Sequence, residues 1–354
     1  MKILITGNMG YVGPVVLRHL SAVIPEGHLI GYDSGFFAHC LTTRDCLPEI
    51  RLQKQVFGDI RDLSPELLAS VDAVVHLAAV SNDPMGDRFH APTDEINFRA
   101  SIQLAERSRD AGVRSFVFAS SCSIYGFAEG GPRKETDPLN PLTAYARSKI
   151  AAERALAQID TGDMVVTCLR FATACGMSDR LRLDLVLNDF VACALAHGTI
   201  SVLSDGSPWR PLINVRDMAR AIEWAISRTA SSGGRYLAVN AGSTDWNYQV
   251  RDLAAAVAAE IPGTTITTNR EAPPDKRSYR VDFSLFRSLA PDHQPSMTLQ
   301  ETVRMIRDGL KEIDFADPNF RNSERIRLHV VNEHIASGRL SSSLRWINTS
   351  KPAR

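Results

Sequence analysis

The segment Thr6-Gly7-Asn8-Met9-Gly10-Tyr11-Val12-Gly13 restricts the fold of this chain more than any other. It follows an apolar run, Ile3-Leu4-Ile5, that reads as a buried strand, and it precedes Val15-Val16-Leu17-Arg18-His19-Leu20, which reads as the opening of a helix. Strand, glycine-rich turn and helix form the setting in which a backbone approaches the pyrophosphate of a dinucleotide. Glycine tolerates positive φ and carries no Cβ to block the phosphates. The helix start supplies free N–H groups and the positive end of a dipole. On this reading the cofactor contacts begin with Gly7, Asn8, Met9, Gly10, Tyr11, Val12 and Gly13.

The first half of the chain alternates short apolar runs with helical patterns. Strands are predicted at Lys2–Thr6, His28–Asp33, Ala73–Leu77, Ser115–Ser120 and Met164–Arg170, and helices near Val12–Ala22, Pro65–Ala69, Thr93–Asp110 and Ala144–Gln158. Such alternation specifies an α/β fold, a doubly wound parallel sheet covered by helices on both faces. Its ligand crevice lies at the carboxyl ends of the strands. The second half is less regular, with helices expected at Asp184–His197, Arg216–Arg228, Val250–Glu260 and Met297–Ile313 and strands at Ile200–Leu203, Pro211–Val215 and Arg235–Asn240. We therefore expect a dinucleotide-binding domain over 1–175, rejoined by strands from 211–240, and a smaller mixed lobe over 176–315 that binds substrate. The polar extension over 316–354 reads equally as an ordered cover or a frayed end.

Charge excludes some classes of partner. Lys+Arg and Asp+Glu both total 40, so no bulk charge favours nucleic acid or a membrane surface. No apolar run reaches the roughly 18 residues that span a bilayer, and the chain starts in a strand without a signal-peptide pattern. Neither the six cysteines nor the nine histidines show metal-ligand spacing, so no metal site is expected. The cysteines read as reduced thiols of a cytoplasmic protein.

Three further features carry chemistry. Asp33 closes the second predicted strand, where a carboxylate hydrogen-bonds ribose hydroxyls and repels a 2′-phosphate, favouring NAD over NADP. Gly58-Asp59-Ile60 follows a third apolar segment and places Asp59 and Ile60 at the adenine edge, although Asp59 equally suits capping the next helix. Tyr145 and Lys149, four residues apart, share one helix face. An ammonium beside a phenol favours the phenolate, which can then act as general base toward a substrate hydroxyl.

Taken together these motifs resemble the extended short-chain dehydrogenase/reductase family, in its NAD-dependent nucleotide-sugar epimerase/dehydratase branch, a Rossmann-type fold. The resemblance runs from residue 1 to about residue 290. It rests on Thr6 to Gly13, His76-Leu77-Ala78-Ala79, Ser120-Ser121-Cys122-Ser123-Ile124-Tyr125-Gly126, Tyr145-x-x-x-Lys149, Leu169-Arg170-Phe171 and Arg210-Pro211-Leu212-Ile213-Asn214-Val215-Arg216-Asp217. It implies a nucleoside-diphosphate sugar as substrate and a catalytic set of Ser121, Tyr145 and Lys149: Ser121 on the reacting sugar oxygen, Tyr145 as acid/base, Lys149 on the nicotinamide ribose. Leu77, Ala78, Ala79 and Asn97 would line the cofactor site, and Phe171 and Thr173 would pass the nicotinamide. Asn82, Ser121, Ser123, Arg210 and Arg277 would contact substrate, the two arginines gripping its diphosphate. Bland readings stand beside these: Ser121 as a strand-end cap, Cys122 as a packed thiol, Arg210 as a solvated charge.

The resemblance also separates subfamilies. Dehydratases of this branch carry an acid pair directly after the catalytic hydroxyl, where this chain has Cys122 and Ser123. Oxidation at one carbon and its reversal then remain, which implies epimerisation at C4. A nucleotide-sugar dehydrogenase, reductase or dehydratase of the same family, and a catalytically silent NAD-binding sensor or scaffold, are the alternatives. The family's packing mode implies a homodimer through the Thr93–Asp110 and Ala144–Gln158 helices.

Overall fold

A computed structural model describes residues 1–347 apart from 44–45, 129, 270 and 272–277. Its strands are β1 (Lys2–Thr6), β2 (His28–Asp33), β3 (Lys54–Phe57), β4 (Ala73–His76), β5 (Ser115–Ser121), β6 (Val165–Phe171), β7 (Thr173–Cys175), β8 (Thr199–Val202), β9 (Trp209–Asn214), β10 (Tyr236–Ala241), β11 (Asn247–Gln249) and β12 (Thr265–Thr268). Seven of them form one sheet in the order β10-β6-β5-β4-β1-β2-β3. All six pairings are parallel.

The alternation of side chains along these strands builds two cores. Ile3, Ile5, Val75, Val117 and Leu169 face one layer of helices, while Leu4, Val74, Phe116, Phe118, Val166 and Cys168 face the other. Burial on both faces explains why the strands read as continuous apolar runs. The chain order reverses between β1 and β4, so the crevice opens at their carboxyl ends, beside the glycine turn.

Some expected elements differ. Of the strands expected to rejoin the main sheet, β10 does so on its edge, whereas β9 pairs with β7 and β11 in a separate three-stranded sheet. The helix expected at Thr93–Asp110 is three pieces, His90–Asp94, a π-helical turn at Glu95–Arg99 and Ala100–Asp110. π-turns are rare and favour functional positions; this one carries Asn97, whose amide pairs with both backbone groups of Val80. Pro65–Leu68 is a 3₁₀ turn. The extension after residue 316 contains a helix at Arg327–Ala336.

Gly13 holds the turn to its helix. A Cβ there would lie 2.0 Å from the carbonyl oxygen of Asn8. Gly13→Ala is expected to destabilise the protein by about 1–3 kcal/mol, the cost of overpacking a filled site, and a lower urea midpoint would register it.

Candidate active site

A cavity of about 850 Å³ runs from the glycine turn across the carboxyl ends of the sheet to the second lobe. Gly7, at φ +74°, stands where a Cβ would come within 2.5 Å of the Ala78 nitrogen, so only glycine lets the turn rest against the strand beyond. Gly10, Tyr11 and Val12 line the cavity wall. Asp33 receives the Met9 N–H on Oδ2 (2.9 Å) and the Gly35 N–H on Oδ1 (2.8 Å). Burial raises its pKa, against the pull of those two N–H groups. The turn, the bare backbone at Gly10 and the carboxylate on the rim fit a dinucleotide.

His76 ties this end together from beneath. Its Nδ1 lies 2.6 Å from the Thr6 hydroxyl and its Nε2 2.8 Å from that of Ser101. Ser101 donates its proton to the Asn97 carbonyl, so it accepts from Nε2–H, and Nδ1 accepts from Thr6. Burial pushes the imidazole pKa down to about 3. The unfolded chain therefore binds a proton near pH 6.5 that the folded chain refuses, and stability is lost as pH falls from about 6.5 toward 3. His76→Asn should flatten this part of the curve in urea titrations run at each pH.

The structure brings most of the predicted site residues to one surface. Asp59, Ile60, Leu77, Ala78, Ala79, Asn82, Ser121, Ser123, Tyr145, Lys149, Phe171, Thr173 and Arg210 all line the cavity. Asn8, Met9, Gly13 and Asn97 do not. Asn8 is buried and donates to Gln55 at 2.7 Å. Met9 contributes its backbone N–H to Asp33, and Gly13 packs on Asn8. Asn97 braces Val80 and the Ser148 hydroxyl from behind. Arg277 lies outside the described residues. The Asp59 carboxylate is held by Arg61 at 2.6 Å and caps the Arg61 N–H, the second of its expected roles, while lining the cavity. Burial would raise its pKa, yet the Arg61 bonds hold it below the usual value.

The helix Ala144–Leu156 presents Tyr145 and Lys149, its start fixed by Thr143, whose hydroxyl accepts from Ala146 N–H and donates to Asp83. The Tyr145 phenol stands close enough to Ser121, the last residue of β5, to feel its hydroxyl. Burial pushes the phenol pKa up to about 12; the Ser121 hydroxyl and the Arg182 guanidinium pull it down, and Asp83 pushes it further up. Lys149 is absent from these influences, contrary to the sequence expectation. Its Nζ donates to the Ala119 carbonyl at 2.7 Å and sits 4.6 Å from the Phe118 ring centre, against 5.7 Å from that of Tyr145. Burial lowers the Lys149 pKa to about 8, with Glu153 opposing. Cys122 turns away from the cavity and donates its thiol to the Arg170 carbonyl, as a packed residue does. Ser123 Oγ has no hydrogen-bond partner, although it is buried at the cavity wall.

Sequence reading missed several groups. Arg182 lines the cavity, doubly bonded to Asp184 (2.9 and 3.0 Å) and donating to Ser81; Asp184 also accepts from Asn82 at 2.7 Å. Tyr279 reaches the same wall. Tyr11 spans the two lobes, donating to the Gly176 carbonyl at 2.6 Å. Arg321, Arg327 and Leu344 of the extension line the cavity as well. Apart from Tyr11, which the glycine motif contains, no motif marks these positions, because the contacts that bring them here are distant in sequence. Among the described residues, no group of three or more His, Cys, Asp or Glu side chains could hold a metal ion, and no helix is long and apolar enough to cross a membrane.

A seven-stranded dinucleotide fold with a tyrosine, a lysine and a serine at the crevice defines an NAD-dependent enzyme class. The model of the NAD dependent epimerase/dehydratase family matches residues 3–242, and the chain belongs to that family. It is 28% identical over 231 residues to the UDP-glucose 4-epimerase of Lactobacillus helveticus, a match covering 61% of this chain and 67% of that protein. It is 26% identical over 284 residues to the UDP-glucose 4-epimerase of Corynebacterium glutamicum, covering 75% and 82%. Among solved structures, MoeE5 in complex with UDP-glucuronic acid and NAD superposes with a TM-score of 0.74 at 25% identity, covering 88% of this chain and 99% of that one.

Proposed function

We propose that the protein is an NAD-dependent nucleotide-sugar epimerase acting at C4 through Ser121, Tyr145 and Lys149. The observation that carries this reading is that Ser121, Tyr145 and Lys149 line one cavity that continues to the glycine turn and Asp33, with no carboxylic acid following Ser121. Relatives with substantial coverage are UDP-glucose 4-epimerases, which supports the same choice.

The chemistry that NAD supplies when bound is reversible uptake of a hydride at its pyridine ring. Gly7, Gly10, Tyr11, Val12, Asp33, Ile60, Leu77, Ala78, Ala79, Phe171 and Thr173 would hold it, and Asp33 would take the ribose hydroxyls. Ser121 orients the sugar hydroxyl. Tyr145 takes that hydroxyl's proton as the C–H bond breaks and returns it when the opposite face is reduced. To act as base the phenol must first give up its own proton; burial opposes this, holding the pKa at about 12, while Ser121 and the Arg182 guanidinium favour it. Lys149 carries a proton in the same wall and donates from a fixed position. Asn82, Ser123 and Arg210 face the sugar-nucleotide half, with Arg210 suited to a phosphate. Residues 1–175 then serve mainly the cofactor and 176–315 mainly the substrate. A cytoplasmic homodimer packed through the helices flanking Tyr145 completes the proposal.

Incubation with UDP-glucose in heavy water, followed by NMR, tests the reaction class. The expected outcome is UDP-galactose with protium retained at C4 and no net NADH. Accumulating NADH, loss of water from the sugar or deuterium at the epimerised carbon would overturn it, as would inertness toward a panel of uridine, guanosine, cytidine and thymidine diphosphate sugars.

A further inference from the structure

Beyond the region matched by the family, the segment from Arg327 to Ile347 reaches the end of the cavity that holds Asp33 and Asp59 through Arg327 and Leu344. The rim there consists of two loops, one following β2 (Ser34, Phe36, Phe37) and one following β3 (Gly58, Asp59, Ile60). The extension fastens to both. Trp346 donates its indole N–H to the Ser34 carbonyl at 2.6 Å and packs edge-on against Phe36 (5.3 Å) and His334 (5.0 Å). On the other loop, the Arg61 guanidinium donates to the carbonyls of Ser343 and Leu344, both at 2.9 Å, while paired with Asp59. Arg345 pairs with Asp62.

Between these two fastenings Leu344 is 1% exposed and lines the cavity with a φ of +55°, a conformation that non-glycine residues avoid. The fixed carbonyls on Arg61 account for its persistence. Further along the same wall, Arg327 is buried over the Phe37 ring at 4.7 Å and donates to the Arg180 carbonyl at 2.7 Å. Among the described residues no carboxylate lies within ion-pairing distance of it. A buried guanidinium of this kind suits a phosphate-bearing ligand.

We propose that the C-terminal extension is a built part of the cofactor site: a strap that joins the two rim loops, closes the adenosine end over Leu344 and offers Arg327 to the diphosphate, so that NAD leaves only when the strap lifts. This rests on the dinucleotide reading of Asp33 and Asp59. It makes NAD a retained group, as a reaction that regenerates its own cofactor permits.

Release of NAD from the full-length protein tests the strap. Leu344→Gly removes the wall while relieving the positive φ, and Trp346→Ala removes the latch. Each loaded protein is chased with excess etheno-NAD, with circular dichroism melting as the check on folding. Dissociation is expected to be about 10-fold or more faster in both variants, since loss of a closing contact acts mainly on the off-rate. NAD should also slow tryptic cleavage after Arg345 in the wild type and not in Trp346→Ala. Folded variants that release NAD at the wild-type rate would overturn the strap alone. A wild type that takes up no NAD would overturn the dinucleotide reading and the strap with it.

Discussion

Tyr145→Phe should lower turnover by about 10²–10⁴-fold, the usual contribution of a positioned general acid/base. The ring stays in its buried place, and only the hydroxyl beside Ser121 is lost. Folding stability should therefore change little, by at most about 1 kcal/mol, the scale of a single polar contact. Binding of NAD should persist, because Gly10, Asp33 and Ala78 are untouched. The informative experiment pairs a single-turnover assay with a melting curve. Activity within a few-fold of wild type would remove Tyr145 from the reaction. The pH profile adds a second readout. With the phenol at about 12, any base limb below that value must come from the bound state or from a different group. Lys149, at about 8, is the group whose deprotonation on raising pH through that value would remove a positive charge from the wall. Lys149→Arg should move such a limb upward, since guanidinium keeps its proton.

Glu153→Ala should be the most destabilising single substitution near the site. The Glu153 carboxylate is buried beneath the Tyr145 helix and accepts three bonds from the Arg170 guanidinium at 2.7–3.1 Å and one from the Ser120 hydroxyl. Arg170 also reaches the Tyr125 hydroxyl and the Glu135 carbonyl, both at 3.1 Å. Removing the acid leaves a desolvated guanidinium in the core, which costs about 3–5 kcal/mol. Removing both charges costs less, because no unpaired ion remains. Glu153→Ala with Arg170→Met should thus be more stable than Glu153→Ala alone in urea unfolding. Equal losses in the single and double variants would show that the pair is worth no more than its packing. The pair bolts β5 and β6 to the helix carrying Tyr145, so the same substitution should also lower turnover by misplacing the phenol relative to Ser121.

Legibility in the sequence follows the range of the interaction concerned. The glycine turn, Asp33 at a strand end and the four-residue spacing of Tyr145 and Lys149 are local patterns, and each is where it was expected. Glycine at position 7 is legible because a single backbone angle and a single close approach demand it. Asn97 was expected to face the cofactor but lies behind the wall, since a π-turn rotates it onto Val80. Asn8 followed the motif yet turned inward to Gln55. The influence of Lys149 on the phenol could not be read from helix spacing, because the ammonium donates to the Ala119 carbonyl and lies nearer the Phe118 ring than the Tyr145 ring.

The amino-acid sequence by itself determined the parallel sheet, the glycine turn and the placement of Tyr145 and Lys149 on one helix, because short apolar runs, glycines and i, i+4 spacing act within a few residues of one another. Tertiary structure alone decided that Arg182 and Tyr279 line the same cavity as Tyr145, that β9 leaves the main sheet, and that the polar extension folds back onto the cavity rim beside Asp33. Those placements depend on hydrogen bonds and packing between segments up to some 300 positions apart, such as Trp346 on Ser34, and no periodicity in one segment carries the address of its distant partner.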